Sequence, residues 1–488
     1  MQIKFDNSYT HLPDRFFQRI SPAQAPAPTL VQLNRVLAEE LNLDADWLGG
    51  PSGLDFLSGR QVAAGSEPIA LAYAGHQFGN FVPQLGDGRA ILLGEVIDKK
   101  GRRRDLQLKG AGRTPYSRGG DGRAALGPVL REYLVSESMA TLGVPTTRAL
   151  SAVATGEAVY REVALPGASL VRVASSHIRV GTFQYFAARE DEEALRLLAD
   201  YAIARHYPDA AAADQPYRAM LDAVIAAQAD LVARWLLVGF IHGVMNTDNC
   251  SVAGETIDYG PCAFMDAYDP ATVFSSIDRH GRYAYANQPR MAHWNLTRLA
   301  EAMLPLLGSD QEAAIEEAHD ALGAFGEQFE RAYHEGLGRK LGLSTLREGD
   351  VDIASTLLAI MTQNQVDFTL LFRRLGDAAV GNHEPARSTF LNPADFDAWA
   401  VRWLQRVDGE AVQRSVIRDR MNAINPAFIP RNHQVEAMIR AAVEDQNFGP
   451  FEQLLTALSH PYEDQEEFAR YAQPPQPHER VSATFCGT

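Results

Sequence analysis

The sequence predicts an α+β fold of two unequal lobes, a small strand-rich lobe followed by a large helical one. Between Pro68 and Gln107, short apolar runs are separated by Gly-rich turns, which is typical of antiparallel strands. Beyond Asp191, apolar residues recur at helical spacing over long segments. A cleft between two such lobes is a natural ligand site, so functional residues are expected near the transition between them.

The chain is predicted to divide into four parts. These are an N-terminal helical arm (1–65), a strand-rich lobe (66–190), a helical lobe (191–470) and a flexible C-terminal tail (471–488). In the arm, Thr29 is placed to cap a helix, because Gln32 follows three residues later and leucines recur at helical spacing. The tail is rich in Pro and Gln and carries Cys486.

Apolar runs and turn residues set the expected elements of both lobes. The predicted strands are Ile69–Tyr73, Ala90–Ile97, Asp105–Leu108, Ala149–Val153, Val159–Val163 and Ser169–Val173. One helix begins at Pro128 and ends before Gly143. The helical lobe is predicted to hold helices near 192–206, 217–240, 295–307, 311–341, 351–374 and 433–444. A non-helical interruption at 241–270 carries the densest polar motif.

Composition excludes several classes of protein. Lys and Arg number 45 and Asp and Glu number 61, so the formal net charge is −16. An acidic surface repels phosphate backbones and anionic lipids, so neither nucleic acid nor a membrane is an expected partner. Three cysteines without a C-x-x-C exclude a disulfide framework and a thiolate zinc site. The first residues lack a signal-peptide pattern, and Leu231–Met245 is too short and polar to span a bilayer, so we expect a cytoplasmic protein.

The first chemical motif is the segment from Gln84 to Arg89, with Gly86 and Gly88 between two strand-like runs. Glycines allow backbone N–H groups to approach a phosphate closely, and Arg89 adds positive charge. The same residues are also compatible with a tight hairpin turn at Asp87-Gly88.

A lysine and a glutamate form the second motif. Lys109 ends a predicted strand and enters a Gly-rich loop, and the next helix offers Glu132 and Glu137. A strand Lys paired with a helix Glu is the protein-kinase arrangement for holding nucleotide phosphates. Periodicity alone does not choose between the two glutamates.

Two arginines follow on the next strand and loop. Arg172 and Arg179 would suit bidentate contacts to phosphates if they lie near a cleft. The alternative is that both are solvated surface charges.

The densest motif runs from His242 to Gly260. Asp258-Tyr-Gly stands where protein kinases have D-F-G, and Asn249 lies nine residues before it. Amide and carboxylate oxygens are ligands that Mg²⁺ accepts beside phosphates, so Asn249 and Asp258 are candidate metal ligands. The kinase catalytic Asp would be residue 244, which is Val here, and the nearest carboxylate is Asp248. The alternative is a polar loop with an Asx turn. Taken together, these motifs predict a nucleotide site between the two lobes, with the nucleotide bound by the strand-rich lobe.

Long segments of this sequence resemble the selenoprotein O family, also called YdiU. They are AYAGHQFGNFVPQLGDGRA (72–90), LKGAGRTPYSR (108–118), DGRA (121–124), NTDN (246–249) and DYGP (258–261). The resemblance extends over nearly the whole chain. It implies a protein-kinase-like fold that binds ATP in a flipped orientation and transfers AMP, rather than phosphate, to protein hydroxyls.

The resemblance also implies a role for each matching residue. Asp248 would be the proton acceptor, Lys109 would hold phosphates with Glu132 as its ion-pair partner, and Asn249 and Asp258 would bind Mg²⁺ or Mn²⁺. The implied nucleotide contacts are Gly86, Gly88, Arg89, Lys109, Asp121, Gly122, Arg172, Arg179 and Asp258. Cys486 occupies the place of a selenocysteine in animal relatives and is a candidate redox residue.

The expected activity is therefore transfer of AMP from ATP to Ser, Thr or Tyr hydroxyls of proteins, including the enzyme itself, with release of pyrophosphate. Bacterial members of the family are linked to UMP transfer with Mn²⁺, so UTP is a second candidate substrate. Two alternatives stay open: a kinase-type phosphotransferase and a non-catalytic nucleotide-binding pseudokinase scaffold. Val244 disfavours the first alternative, and the set Lys109, Asn249 and Asp258 disfavours the second.

Overall fold

A computed structural model describes residues 3–485 of the chain. It has a strand-rich N-terminal region and a large helical C-terminal region, as predicted. The strands are β1 (Phe17–Arg19), β2 (Thr29–Leu33), β3 (Ile69–Leu71), β4 (Gly75–Gln77), β5 (Asn80–Val82), β6 (Ala90–Ile97), β7 (Arg103–Lys109), β8 (Ala124–Ala125), β9 (Arg148–Tyr160), β10 (Ala164–Ala174), β11 (Phe240–Ile241) and β12 (Ala263–Phe264).

Seventeen α-helices lie within the described residues. They are α1 (Arg35–Glu40), α2 (Ala45–Gly49), α3 (Pro51–Leu57), α4 (Leu126–Thr141), α5 (Val180–Ala187), α6 (Glu192–His206), α7 (Pro216–Leu237), α8 (Gln288–Leu307), α9 (Gln311–Lys340), α10 (Asp350–Asn364), α11 (Phe368–Ala379), α12 (Glu384–Arg387), α13 (Pro393–Asp408), α14 (Arg414–Asn422), α15 (Asn432–Glu444), α16 (Gly449–Leu458) and α17 (Ala469–Ala472). None of the helices between residues 3 and 485 has the length and apolar character needed to cross a bilayer.

The main sheet is antiparallel and has eight strands in the order β1-β3-β6-β7-β10-β9-β2, with β8 pairing to β10. Alternation along β10 sends Val171 and Val173 into a core shared with α1–α3, whereas Leu170 packs on the other face with α4, α15 and α16. Lys109 pairs with Leu170, and Gln107 pairs with Arg172, so Lys109 and Arg172 both lie on the face that α4 covers.

Two predicted helices differ from the structure. Thr29–Leu33 is strand β2, and the helix begins only after Asn34, whose side chain accepts the Leu37 N–H as an N-cap. The positions of Leu30 and Leu33 are compatible with a partly buried strand as well as with a helix. Pairing with β9 selects the strand. The predicted helix 351–374 is broken at Gln365, which has φ 53°, and Asp367 caps a new helix.

Residues 473–485, expected to be a flexible tail, run back to the centre of the molecule. Thr484 donates its N–H to the Phe274 carbonyl at 2.7 Å, and its hydroxyl donates to the Pro261 carbonyl at 2.5 Å. Thr484 also pairs with Ser275 in a parallel bridge. The polar composition of this segment gave no sign of its backbone hydrogen bonds, because any sequence can form them. Cys486 lies outside the described residues, and the division of the chain at residues 65, 190 and 470 stays a prediction.

Candidate active site

A cavity of about 830 Å³ lies between the sheet and the segment that follows β11. Polar and charged side chains from both regions line it. Nearly all the predicted site residues are among them: Gly86, Gly88, Arg89, Lys109, Asp121, Gly122, Arg172, Arg179, Asp248, Asn249 and Asp258. Glu132 lies directly behind this lining, in contact with Lys109.

Four of these residues form a buried charge cluster: Lys109 on β7, Glu132 on α4, Arg172 on β10 and Asp258. The Lys109 ammonium donates to Glu132 at 2.5 Å and to Asp258 Oδ1 at 2.7 Å. Arg172 donates to Glu132 Oε1 through Nε at 2.8 Å and through Nη2 at 2.5 Å, and its Nη2 lies 3.3 Å from Asp258. Two cations thus face two anions, and Arg172 and Glu132 are each only 3% exposed.

The charges of the cluster determine how its carboxyl groups ionise. Burial alone would raise the pKa of Asp258, but the positive charges of Lys109, Arg172 and Arg89 outweigh burial and hold it well below its usual value. Burial likewise opposes ionisation of Glu132, and Arg172 and Lys109 lower its pKa below the ordinary value. Both groups are therefore anionic at neutral pH. Asp258 has φ 69°, a strained conformation of the kind that concentrates at functional sites.

The structure decides which glutamate pairs with Lys109. Glu137 lies further along α4, where it accepts two hydrogen bonds from Arg148 and one from the Ala149 N–H. Its carboxylate therefore ties α4 to β9 and takes no part in the charge cluster.

The loop that carries Gly86 and Gly88 is not a tight hairpin. Asp87 is buried, and its Oδ2 accepts from the Leu71 N–H and from Gln107 at 3.1 Å each. Gly86 has φ 74°, and a Cβ atom there would lie 2.2 Å from the Tyr116 ring. The chain can therefore follow the cavity wall at this position only with glycine.

Gly122 is constrained in the same way on the second Gly-rich loop, where a Cβ atom would lie 2.0 Å from the Gly112 carbonyl. Asp121 beside it is exposed at the mouth of the cavity. Its carboxylate pairs with Arg161 at 2.8 Å, and this hydrogen-bonded pairing lowers the pKa of Asp121.

Arg179 is buried, like Arg172, so the interpretation of both as surface charges is wrong. Its guanidinium lies over the Tyr73 ring, 4.2 Å from the centroid, and donates to the His177 carbonyl at 3.2 Å. Asp87 is 3.6 Å away. The Arg179 Nε has no hydrogen-bond partner among the described residues. Because this cation lines the cavity with donor capacity to spare, it suits an anionic ligand.

Asp248 occupies a short 3₁₀ turn, Thr247–Asn249, on the opposite side of the cavity from β7. Gln77 Nε2 donates to its Oδ2 at 3.2 Å. Its Oδ1 is buried and has no hydrogen-bond partner within residues 3–485. Burial raises the pKa of Asp248 to about 6, and the hydrogen bond from Gln77 opposes that increase. A carboxylate that lines the cavity and has a pKa near neutrality is suited to accept a proton.

Asn249 and Asp258 provide the oxygen donors expected for a magnesium site. The Asn249 Nδ2 donates to the Val244 carbonyl at 3.1 Å, which leaves the amide oxygen as the atom for a ligand. One ionised carboxylate and one amide oxygen fit Mg²⁺ or Mn²⁺, because Mg²⁺ is commonly bound through few protein groups plus phosphates and water. In the part of the chain that the structure describes, no three His, Cys, Asp or Glu side chains cluster into a complete protein cage.

His242 joins the two sides of this motif. Its Nε2 donates to the Ile257 carbonyl at 3.0 Å, and its Nδ1 faces the Val244 N–H at 3.4 Å. Burial lowers the pKa of His242, in keeping with a neutral ring that both donates and accepts. Through these two contacts, His242 fixes the distance between the chain at Val244, which precedes Asp248, and the chain at Ile257, which precedes Asp258.

Sequence reasoning missed Gln77, Tyr73 and Asn246. Gln77 contacts Asp248, Tyr73 stacks under Arg179, and Asn246 accepts a hydrogen bond from the Phe78 N–H at 3.0 Å. All three lie inside segments that were recognised as motifs, but neutral polar and aromatic residues give no charge or spacing signal of their own. Cys250 and Cys262 are buried free thiols.

Known proteins similar to this chain match it over nearly its whole length. The family model described as "Protein adenylyltransferase SelO" matches residues 1–459. Protein nucleotidyltransferase YdiU of Methylorubrum populi is 65% identical over 492 residues, covering 99% of each chain. Proteins of the same name from Rhodopseudomonas palustris strain BisB5 and Bradyrhizobium diazoefficiens are each 63% identical, over 486 and 485 residues, again covering 99% of both chains.

Proposed function

The chain belongs to the SelO family of protein adenylyltransferases and is a protein nucleotidyltransferase; we propose that it transfers AMP from ATP to hydroxyl groups of protein side chains and releases pyrophosphate. The observation that carries this proposal is the pairing of two differently tuned carboxylates in one cavity. Asp258 is held ionised by cations, whereas Asp248 accepts a hydrogen bond from the neutral Gln77 side chain and has a raised pKa. The first suits a phosphate-bound metal and the second suits an acceptor hydroxyl.

The phosphate contacts are proposed for the cationic wall of the cavity. Lys109, held in place by Glu132, would bind phosphate oxygens, and Arg172 and Arg179 would bind the phosphates that leave as pyrophosphate. The rest of the nucleotide would be contacted by the two Gly-rich loops, through Gly86, Gly88, Arg89, Asp121 and Gly122. This arrangement corresponds to a protein-kinase-like fold with the nucleotide turned around, so that the α-phosphate faces the acceptor.

In the proposed reaction, the Asp248 carboxylate accepts the proton of the Ser, Thr or Tyr hydroxyl. The hydroxyl oxygen forms a bond to the α-phosphorus, and the bond from that phosphorus to the bridging oxygen of the β-phosphate breaks. The electron pair leaves with pyrophosphate, whose charge the arginines offset. Asn249 and Asp258 are the residues that would hold Mg²⁺ or Mn²⁺, which would neutralise phosphate charge when bound.

ATP labelled at the α- or at the γ-phosphate tests the proposal. The α label is expected on protein, including the enzyme itself, and the γ label is expected in released pyrophosphate only. A gain in protein mass equal to phosphate would instead support the kinase-type alternative, and no label on any protein would support the scaffold. Denatured enzyme and the Asp258→Ala variant are the controls for non-covalent carry-over.

A second arm of the experiment compares nucleotides. We propose UTP as a further donor substrate, to be tested with α-labelled UTP in the presence of Mg²⁺ or of Mn²⁺.

We place the enzyme in the cytoplasm on the low cysteine content of its sequence.

A further inference from the structure

A small hairpin of the strand-rich region reaches across the cavity to the turn that carries Asp248. It consists of β4 and β5, joined by the two-residue turn Phe78–Gly79. Both turn residues have positive φ, 50° at Phe78 and 86° at Gly79. Positive φ is costly for a bulky aromatic residue and persists only where neighbouring contacts enforce it. A two-residue hairpin turn of type I′ requires positive φ at both positions, so the steric cost at Phe78 must be offset by contacts of the hairpin with its neighbours.

Three successive residues of the hairpin, 76–78, are each hydrogen-bonded to the segment that carries Asp248. The His76 N–H donates to Thr247 Oγ1 at 2.7 Å, and the Phe78 N–H donates to Asn246 Oδ1 at 3.0 Å. Between them, the Gln77 side chain donates to Asp248 Oδ2 at 3.2 Å. The two outer bonds fix the backbone, so the Gln77 amide is presented to one oxygen of Asp248.

A further ring of hydrogen bonds locks the hairpin in this position. Gln184, on α5, accepts from the Thr247 hydroxyl at 2.6 Å and hydrogen-bonds His76 Nδ1 at 2.8 Å. Gly75, at the base of the hairpin, backs directly onto Asp248, since a Cβ atom there would lie 2.6 Å from its Oδ1. The hairpin therefore contacts both oxygens of the carboxylate, Oδ1 through the close approach of Gly75 and Oδ2 through the hydrogen bond from Gln77.

We propose that Gln77 is a positioning residue for Asp248. By holding Oδ2, it fixes the rotation of the carboxylate, whose Oδ1 is buried against Gly75. This inference rests on the proposed function, in which Asp248 is the proton acceptor. A carboxylate free to rotate would spend less time aligned with the acceptor proton, so the cost of losing Gln77 falls on the transfer step and not on nucleotide binding.

Gln77 also lines the cavity, so a direct contact to the nucleotide is the competing role. The two roles differ in what the Gln77→Met variant changes. Met has a similar length and no donor, so it removes the hydrogen bond with little change in shape. Positioning predicts a lower kcat with unchanged ATP affinity, whereas a nucleotide contact predicts weaker ATP binding with a raised KM.

The test measures single-turnover transfer from α-labelled ATP and calorimetric ATP affinity. We expect Gln77→Met to slow transfer by on the order of 10- to 100-fold, as for loss of a hydrogen bond to a charged group. ATP affinity should stay within about twofold of the unmodified enzyme. Gln77→Glu should be slower than Gln77→Met, because it places a second carboxylate against Asp248. Asn80→Ala, an exposed position of the same hairpin, is the matched control and should transfer at the normal rate.

A double-mutant comparison separates this inference from its premise. In an Asp248→Asn background, Gln77→Met should change the residual rate by less than about threefold, because there is no base left to orient. A normal rate for Gln77→Met, an equal loss in both backgrounds, or a loss explained by ATP affinity would overturn the role of Gln77 alone. A normal rate for Asp248→Asn would instead remove the base from the proposed function. Unfolding of both Gln77 variants, judged by thermal denaturation, would make the residue structural and the proposal wrong.

Discussion

Asp258 and Asp248 line one cavity, yet the fold surrounds them with opposite partners. Asp258 faces Lys109 and Arg172, so its pKa lies well below the usual value although burial opposes this. Asp248 has one neutral donor, Gln77, and burial raises its pKa to about 6. The same side chain is thus kept permanently charged at one position and ready to take a proton at the other.

This difference shows that the pKa of each carboxyl group is set by the elements that surround it and the side chains that they bring near. The charge cluster draws on β7, β10 and α4, which are rigid elements whose register fixes two cations beside Asp258. Asp248 lies on a short 3₁₀ turn that is restrained by hydrogen bonds to the β4–β5 hairpin and to Gln184 on α5. Variants on the two sides should therefore fail in different ways.

The largest effect is expected for Asp258→Ala. Removing the anionic ligand should abolish metal-dependent nucleotide affinity and reduce transfer by on the order of 10⁴-fold or more, because phosphate charge is no longer offset by a metal. Calorimetry with ATP, with and without Mg²⁺, measures the first effect and α-label transfer the second. Asn249→Ala should fail in the same way but less severely, since a neutral amide contributes less to a dication. Full metal-dependent affinity in Asp258→Ala would contradict the assignment.

Asp248→Ala should separate binding from transfer. Its nucleotide and metal affinities are expected to be retained, while transfer slows by on the order of 10²–10⁴-fold, the usual contribution of a general base. The same calorimetric and labelling measurements apply. If this variant loses metal-dependent binding while Asp258→Ala keeps it, the roles of the two carboxylates are reversed.

Lys109→Ala tests the cationic side of the comparison. Transfer should fall by on the order of 10²–10³-fold, as for loss of one preorganised group that stabilises developing charge. Arg172 still faces Glu132 and Asp258 in this variant, so circular dichroism should show a folded protein. Lys100→Ala, an exposed lysine, is the matched control and should be fully active. Equal activity of the two variants would show that Lys109 is not part of the site.

The smallest effect concerns His242, which fixes the separation of the two regions. Its folded pKa is lowered by burial, so the unfolded chain binds more protons below about pH 6.5. The stability that the neutral ring provides is complete above that pH and falls as the pH drops, by at most about 1.4 kcal/mol per pH unit. Chemical denaturation between pH 7.5 and 5.5 should show a shallower dependence for His242→Gln than for the unmodified chain. His478→Gln, at an exposed position, should leave the slope unchanged, and identical slopes in all three would contradict the prediction.

Sequence reasoning located the charged half of the site well and the neutral half poorly. Lys109 and Asp258 stand out because each follows a strand-like run and borders a Gly-rich or polar loop. Among the elements of the fold, β6 and α6 have the bounds that the apolar pattern predicts. Glu132 could not be chosen over Glu137, because both lie on the buried side of α4 and only the registry with β10 separates them.

The parts that could not be predicted depend on contacts between distant segments. Gln77 carries no charge, and its partner lies 171 residues away in the chain. The strand at Thr29–Leu33 required knowledge of β9. The docking of Thr484 combines its hydroxyl with backbone groups that every residue has. Such pairings are properties of the folded chain as a whole and leave no local pattern.

The docking of Thr484 also has a consequence for the order in which the enzyme is made. The Thr484 hydroxyl reaches the Pro261 carbonyl, 223 residues earlier in the chain, three positions after Asp258. Translation proceeds at about 5–20 residues per second, so roughly 10 to 45 seconds separate the synthesis of these two partners. Throughout that interval the nascent polypeptide already has Lys109, Arg172, Asp248 and Asp258, but the carbonyl beside the Asp258 loop still lacks its partner. Arg131, which donates to both the Gly260 and Phe485 carbonyls, likewise completes its contacts only when the later segment emerges from the ribosome.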